Sequence, residues 1–237
     1  MQSLQNKKTI ITGGGKGVGK ATALALAKEG VQVGLIGRTE ATLQAIADEI
    51  NSEGSKCFYA VADVTDADAA AKAIEHLQSQ LEGIDILINN AAIAMFGSTV
   101  DMMTSDWERI FRVNVFGTYY ITKAALPYLI KQNSGDIVTI SSSAGLRANA
   151  AAGAYSASKF AVIGFMESLM NEVRKYNIRV STLMPSTMAT DMAESLGIVQ
   201  NKDSLMQPED LAQFIVHQLK LDNRVFVKSA SLWGTNP

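Results

Sequence analysis

Short, continuously apolar runs alternate along this chain with longer stretches whose apolar residues recur at helical spacing. TIIT, at residues 9–12, reads as a buried strand, and the GVGKATALALAKEG that follows its glycine turn reads as a helix stopping at Gly30. The alternation then repeats. VQVGLIGR, KCFYAVADV, IDILI, DIVTIS and IRVSTLMP are strand-like, and between them lie ATLQAIADEINSEG, DADAAAKAIEHLQSQLEG, VNVFGTYYITKAALPYLIKQ and KFAVIGFMESLMNEVRKY. A strand that is apolar along its whole length is covered on both faces, as in parallel sheets flanked by helices. EDLAQFIVHQLK supplies a last helix, RVFVK a short last strand and SASLWGTNP a polar tail. The pattern predicts a Rossmann-like, three-layer α/β/α architecture around a seven-stranded parallel sheet.

A length of 237 residues suits one large α/β domain, so residues 1–237 are read as a single dinucleotide-binding and catalytic unit. A formal net charge of −2 offers no electrostatic case for nucleic acid or an anionic membrane surface. Cys57 is the only cysteine, which excludes an intrachain disulfide and a multi-cysteine metal site and fits a reducing compartment. His76 and His217 fall on different helices among polar neighbours, so no metal site is expected. No signal-like or membrane-length apolar run occurs, and a cytoplasmic location is expected.

In the first turn Gly13, Gly17 and Gly19 keep the spacing G-x-x-x-G-x-G, with Gly15, Lys16 and Val18 between them. Absent side chains there let backbone N–H groups and the helix N-terminus approach a phosphate, and the strand–turn–helix context is the one such a motif requires. The second strand ends in Gly37-Arg38, where enzymes of NAD usually carry a carboxylate for the ribose hydroxyls. An arginine pairs with a 2′-phosphate, and Lys16 approaches the same group from the turn, so NADPH is the expected cofactor.

Tyr155 and Lys159 are four apart in a segment read as helical from about Ala154, so both side chains project from one face. An ammonium beside a phenol stabilises the phenolate, which fits Tyr155 as a general acid or base. Ser142, reached by a loop from DIVTIS, offers a hydroxyl to a carbonyl oxygen.

With NNA at 89–91, NVFG at 114–117 and YSASK at 155–159, the chain resembles the short-chain dehydrogenase/reductase family over nearly its whole length. The resemblance implies a catalytic set of Asn114, Ser142, Tyr155 and Lys159, with Asn114 holding a water that passes protons from the lysine to solvent. It also implies cofactor contacts at Asp63, Val64, Asn90, Tyr155, Lys159, Pro185 and Thr190. Ala92 and Ser186 stand where the family has glycine, which bears on the backbone near the ribose and in the following loop. Residues 186–206 read as a substrate lid, whose Met188, Met192 and Met206 suit a mobile apolar cover or are loop methionines without function. The tyrosine helix, apolar almost all round, and the helix of Asn114 are the family's usual dimer or tetramer surfaces, so a homo-oligomer is expected.

Within the family the layout is similar to bacterial 3-oxoacyl carrier-protein reductases. Those enzymes dock the acidic carrier through arginines at positions that here carry Asn133 and Tyr176, with Lys131, Arg174 and Lys175 close by. Acyl carrier protein is therefore a weakly supported partner, and a 3-oxoacyl thioester competes with a small ketone or diketone as substrate. A non-catalytic NADPH-sensing regulator is the reading from a different class, and the complete catalytic set counts against it.

Overall fold

The computed structural model describes residues 1–197 and 204–235. Seven strands form one sheet in the order β3-β2-β1-β4-β5-β6-β7, and every neighbouring pair is parallel. They are β1 (Lys8–Thr12), β2 (Gln32–Gly37), β3 (Cys57–Val61), β4 (Ile86–Asn89), β5 (Gly135–Ile140), β6 (Ile178–Pro185) and β7 (Ser229–Leu232). The helices are α1 (Gly17–Lys28), α2 (Glu40–Ser52), α3 (Ala67–Leu81), α4 (Thr104–Phe111), α5 (Thr118–Gln132), α6 (Gly153–Val173), α7 (Asp191–Ser195) and α8 (Pro208–Leu219).

The strands are apolar throughout because successive side chains feed opposite layers. Ile11, Ile86 and Ile88 join Leu26, Leu43, Ile50 and Ile215 in a cluster under α1, α2 and α8. Ile10 and Leu87 join Ile74, Leu77, Ile121, Leu129 and Leu169 under α3, α5 and α6. Each of these side chains contributes about 1.5–3 kcal/mol by leaving water. Asp66 caps α3, its carboxylate accepting from the Asp68 and Ala69 amides. His76 and His217 are exposed, and no described helix is long and apolar enough to cross a membrane.

Two elements differ from the sequence expectation. The edge strand is not RVFVK but the next four residues, Ser229–Leu232. Arg179 takes the carbonyl oxygens of Leu221 and Val225, so the backbone there is spent on a guanidinium rather than a ladder. Ser229–Leu232 supplies period-two alternation instead, with Ala230 and Leu232 packed on the core. The long helix expected through Asn114 is also interrupted: Arg112–Gly117 forms a wide π turn between α4 and α5. The Thr118 hydroxyl donates to the Asn114 carbonyl at 2.8 Å, and the extra residue turns the Asn114 side chain inward.

Strand order reverses between β1 and β4, whose neighbours lead the chain away in opposite directions. In an open parallel sheet the crevice beyond the carboxyl ends at such a point is where ligands bind.

Candidate active site

A cavity of about 810 Å³ opens at that crevice. The glycine turn forms one wall. Gly13 has φ +64° and Gly17 φ +52°, a region favouring glycine, and a Cβ on Gly17 would meet only Thr190 Cγ2, in ordinary contact at 3.8 Å. Gly19 does not line the cavity. A Cβ there would lie 2.2 Å from the Gly13 carbonyl oxygen, so this glycine lets α1 pack against the turn. Gly13, Gly15, Lys16, Gly17 and Val18 all reach the cavity.

Asn90 braces the turn. Its Nδ2 donates to the Thr12 and Gly13 carbonyl oxygens at 3.0 and 3.2 Å, while the Asn90 and Ala91 amides donate to Thr12 Oγ1. Beyond it Arg38, Asp63 and Val64 form the far wall. Arg38 Nη1 lies 4.0 Å from Asp63 Oδ2, and Lys16 Nζ lies 3.8 Å from Asp191 Oδ2, all four side chains being well exposed. Such long surface pairs contribute little.

At the other end the Ser142 and Tyr155 side chains lie together on the cavity wall. Ser142 Oγ also accepts from the Ala144 amide at 3.1 Å, which fixes its orientation at the end of β5. Lys159 is buried, 3% exposed, with Nζ donating to the Ile140 carbonyl oxygen at 3.0 Å and lying 5.7 Å from the Tyr155 ring centroid. One hydrogen bond leaves two of its three donors for a ligand. Burial pulls Lys159 down to about 8. Burial also raises Tyr155 above the usual phenol value, opposed by the hydrogen bond from Ser142. In the ligand-free site burial outweighs the Ser142 hydrogen bond, so Tyr155 stands above the usual phenol value and not below it, as the lysine spacing suggests.

Asn114 lies behind the wall rather than on it. Its Oδ1 accepts from the Ile93 amide at 2.8 Å, and its Nδ2 donates to the Ile93 carbonyl oxygen and Ser158 Oγ, both at 3.0 Å. The amide thus clamps the loop after β4 to α6. Pro185 and Thr190 line the cavity, and the Thr190 hydroxyl oxygen accepts from the Ala193 amide to cap α7. Ser186 fits where the family has glycine: its amide donates to Leu232 O, its hydroxyl accepts from the Gly234 amide, and its φ is not positive. Of the expected lid, 198–203 lie outside the described residues, while Met188 pairs with Met206 in a parallel bridge.

Sequence reasoning missed Phe96 and Ala150–Ala152, which line the cavity beside Tyr155. A single aromatic and a run of alanines carry no motif, and only the fold brings these two loops together. No group of three potential metal ligands occurs among the described residues.

The chain is 34% identical over 221 residues, 90% of each chain, to a 3-oxoacyl-[acyl-carrier-protein] reductase of Thermotoga maritima. It is 29% identical over 232 residues to an uncharacterized oxidoreductase of Staphylococcus aureus, covering 98% of this chain and 99% of that one. An alcohol dehydrogenase from Thermococcus sibiricus, solved with 5-hydroxy-NADP, superposes with a TM-score of 0.91 at 25% identity, over 97% of each chain. A short chain dehydrogenase from Burkholderia cenocepacia, solved in complex with NADP, gives 0.90 at 27% identity, over 98% of each. The family model for short chain dehydrogenases matches residues 7–200, most of the chain and every described residue that lines the cavity, and to that family of oxidoreductases this chain belongs.

Proposed function

We propose that this chain is an NADPH-dependent carbonyl reductase in which Tyr155 is the proton donor. The observation that carries this reading is the gathering of Ser142, Tyr155 and the buried Lys159 ammonium on one cavity wall. Ser142 donates a hydrogen bond to the ketone oxygen while Tyr155 hands it a proton. A phenol held protonated by burial is poised as an acid for the reducing direction. Lys159 then stabilises the phenolate left behind. The Asn114 carbonyl already accepts from Thr118 and keeps a second lone pair for a water, which suits the expected relay. When bound, the reduced nicotinamide supplies the hydride.

The residues fit that group. The glycine turn leaves backbone open to a phosphate at Gly17, Lys159 keeps donors free for a ribose, and Asn90 holds the turn in place. Arg38 and Lys16 stand at the distal end with only loose carboxylate partners, so a 2′-phosphate displaces those pairs at small cost. Two structural neighbours were solved with NADP or its 5-hydroxy form, which supports the same choice.

The Thermotoga maritima relative is a reductase of carrier-bound 3-oxoacyl groups, so a 3-oxoacyl thioester is one substrate reading. Asn133 and Tyr176 weigh against carrier docking. Asn133 ends α5 in the left-handed conformation, φ 55°, a place that suits asparagine, and Lys175 lies over the Tyr176 ring. A small ketone or diketone is thus an equal competitor. Met188, Met192 and Leu196, at the described part of 186–206, face the cavity and support that segment as its lid. Phe116, Tyr119 and Phe160, exposed on the π turn, α5 and α6, support a homo-oligomer built on this face.

The test is NADPH oxidation with NADH controls over acetoacetyl thioesters, diketones, quinones and aldehydes. Tyr155→Phe should lose at least ~10²-fold in rate on any substrate turned over. Cofactor binding with a silent panel would favour the sensor instead.

A further inference from the structure

We infer that the space in front of Ser142 and Tyr155 selects uncharged ketones bearing a bulky apolar substituent, and that Phe96 sets this preference. This rests on the carbonyl-reductase reading. Phe96 is 41% exposed yet sits in the cavity wall, its ring edge-on to Tyr155 with centroids 5.9 Å apart at 82°. An exposed aromatic in a concave wall presents apolar surface to a ligand.

The ring is held there by a clasp between two loops. The Gly97 amide donates to the Ala151 carbonyl oxygen at 2.8 Å, joining the segment after β4 to the one before α6. Ala151 is left-handed, φ 61°, which a non-glycine residue adopts against its preference. Trp107 backs the same loop, its Cζ3 lying 3.5 Å from where a Gly153 Cβ would stand. Beside this clasp Ala150, Ala151 and Ala152 line the same cavity with side chains that end at Cβ, leaving width for a substituent.

The charges lie elsewhere. Among the described lining residues the charged ones are Lys16, Arg38, Asp63, Lys159 and Asp191. Lys16 faces Asp191 and Arg38 faces Asp63, while Lys159 is buried against Ile140 O and in the reading above gives its remaining donors to the ribose. None stands beside Phe96 to pair with a substrate carboxylate, which would be desolvated there uncompensated.

The test uses the NADPH-loaded protein with methyl para-acetylbenzoate, the matching free acid, and butanone. The ester should exceed the acid in kcat/KM by at least about tenfold. Phe96→Ala should raise KM for the ester about tenfold, change butanone less than about threefold, and be rescued by Phe96→Tyr. Equal or better use of the acid would overturn the inference. So would a uniform loss of kcat on ester and butanone at unchanged KM, since Phe96 would then merely support Tyr155. If NADPH binds but no ketone is reduced, the reductase reading falls by itself. Calorimetric titration of the loaded protein then decides the slot: ester bound over acid, weakened by Phe96→Ala, upholds it, and equal or absent binding sinks it.

Discussion

Lys159 is a cation placed where water cannot reach it, and its burial makes a testable demand on stability. Its folded value of about 8 lies below the ordinary 10.5. Below about 8 both folded and unfolded chains carry the proton, and the native state bears the whole cost of the buried charge. As pH rises past 8 the folded chain releases its proton first, the unfolded chain binds more protons, and stability climbs. Above 9 Cys57 opposes the trend, because burial pushes its thiol up to about 12 from 9.0 and the unfolded chain ionises first. The ligand-free protein should therefore gain about 1 kcal/mol between pH 8 and 9, a gain that Lys159→Met abolishes. Urea midpoints across that window check it; a flat wild-type profile would mean that Lys159 is not desolvated. The pair of Tyr155 and Lys159 was readable from a spacing of four. The direction of the Tyr155 shift was not, because burial is a sum over neighbours that the spacing does not name.

At the scale of elements, the π turn is the feature on which the rear of the site depends. Gly117 closes it, and a Cβ there would lie 2.7 Å from Val64 Cγ2 and 3.2 Å from Val64 Cβ. Valine is stiff at χ1 and cannot swing aside. Gly117→Ala should cost about 1–3 kcal/mol and loosen the clamp of Asn114 on Ile93. Gly164, exposed on α6 with nothing within 4 Å of its missing Cβ, is the contrast. Gly164→Ala should stabilise the separated protomer by about 0.5–1 kcal/mol, so denaturation curves taken at concentrations too low for association should move in opposite directions for the two variants. Helical periodicity ran unbroken through this region, and sequence reading accordingly drew one long helix. One extra residue in a turn leaves the apolar pattern almost untouched while re-aiming a side chain, so its signal lies in the packing against Val64. The edge strand failed for a similar reason: VFV is the more strand-like segment, but its backbone is claimed by Arg179.

Over the whole molecule, Arg179 ties the far end of the sheet together. It is buried, with Nε and Nη2 donating to the two Asp136 carboxylate oxygens at 2.6 and 2.9 Å. It also donates to the carbonyl oxygens of Leu219, Leu221 and Val225. One side chain thus joins β5, β6, the end of α8 and the approach to β7. Burial raises the Asp136 carboxyl above its ordinary value, and the guanidinium works the other way. Arg179→Ala would strand that carboxylate and three carbonyls, at about 3–5 kcal/mol. Loss of amide-exchange protection should begin in β7; protection lost evenly over the sheet would show that the guanidinium does not anchor this edge.

What the chain carries in its own order is the parallel sheet, the glycine turn and the serine, tyrosine and lysine of the site. Each of these depends on residues close in sequence, where period, spacing and turn chemistry act directly. Tertiary structure alone decided which strand closes the sheet, where the wide turn falls, how burial sets the two titrating groups, and that Phe96 and a run of alanines line one cavity with Tyr155. Those outcomes depend on surfaces brought together from distant segments, and packing, desolvation and backbone competition there have no counterpart in local pattern.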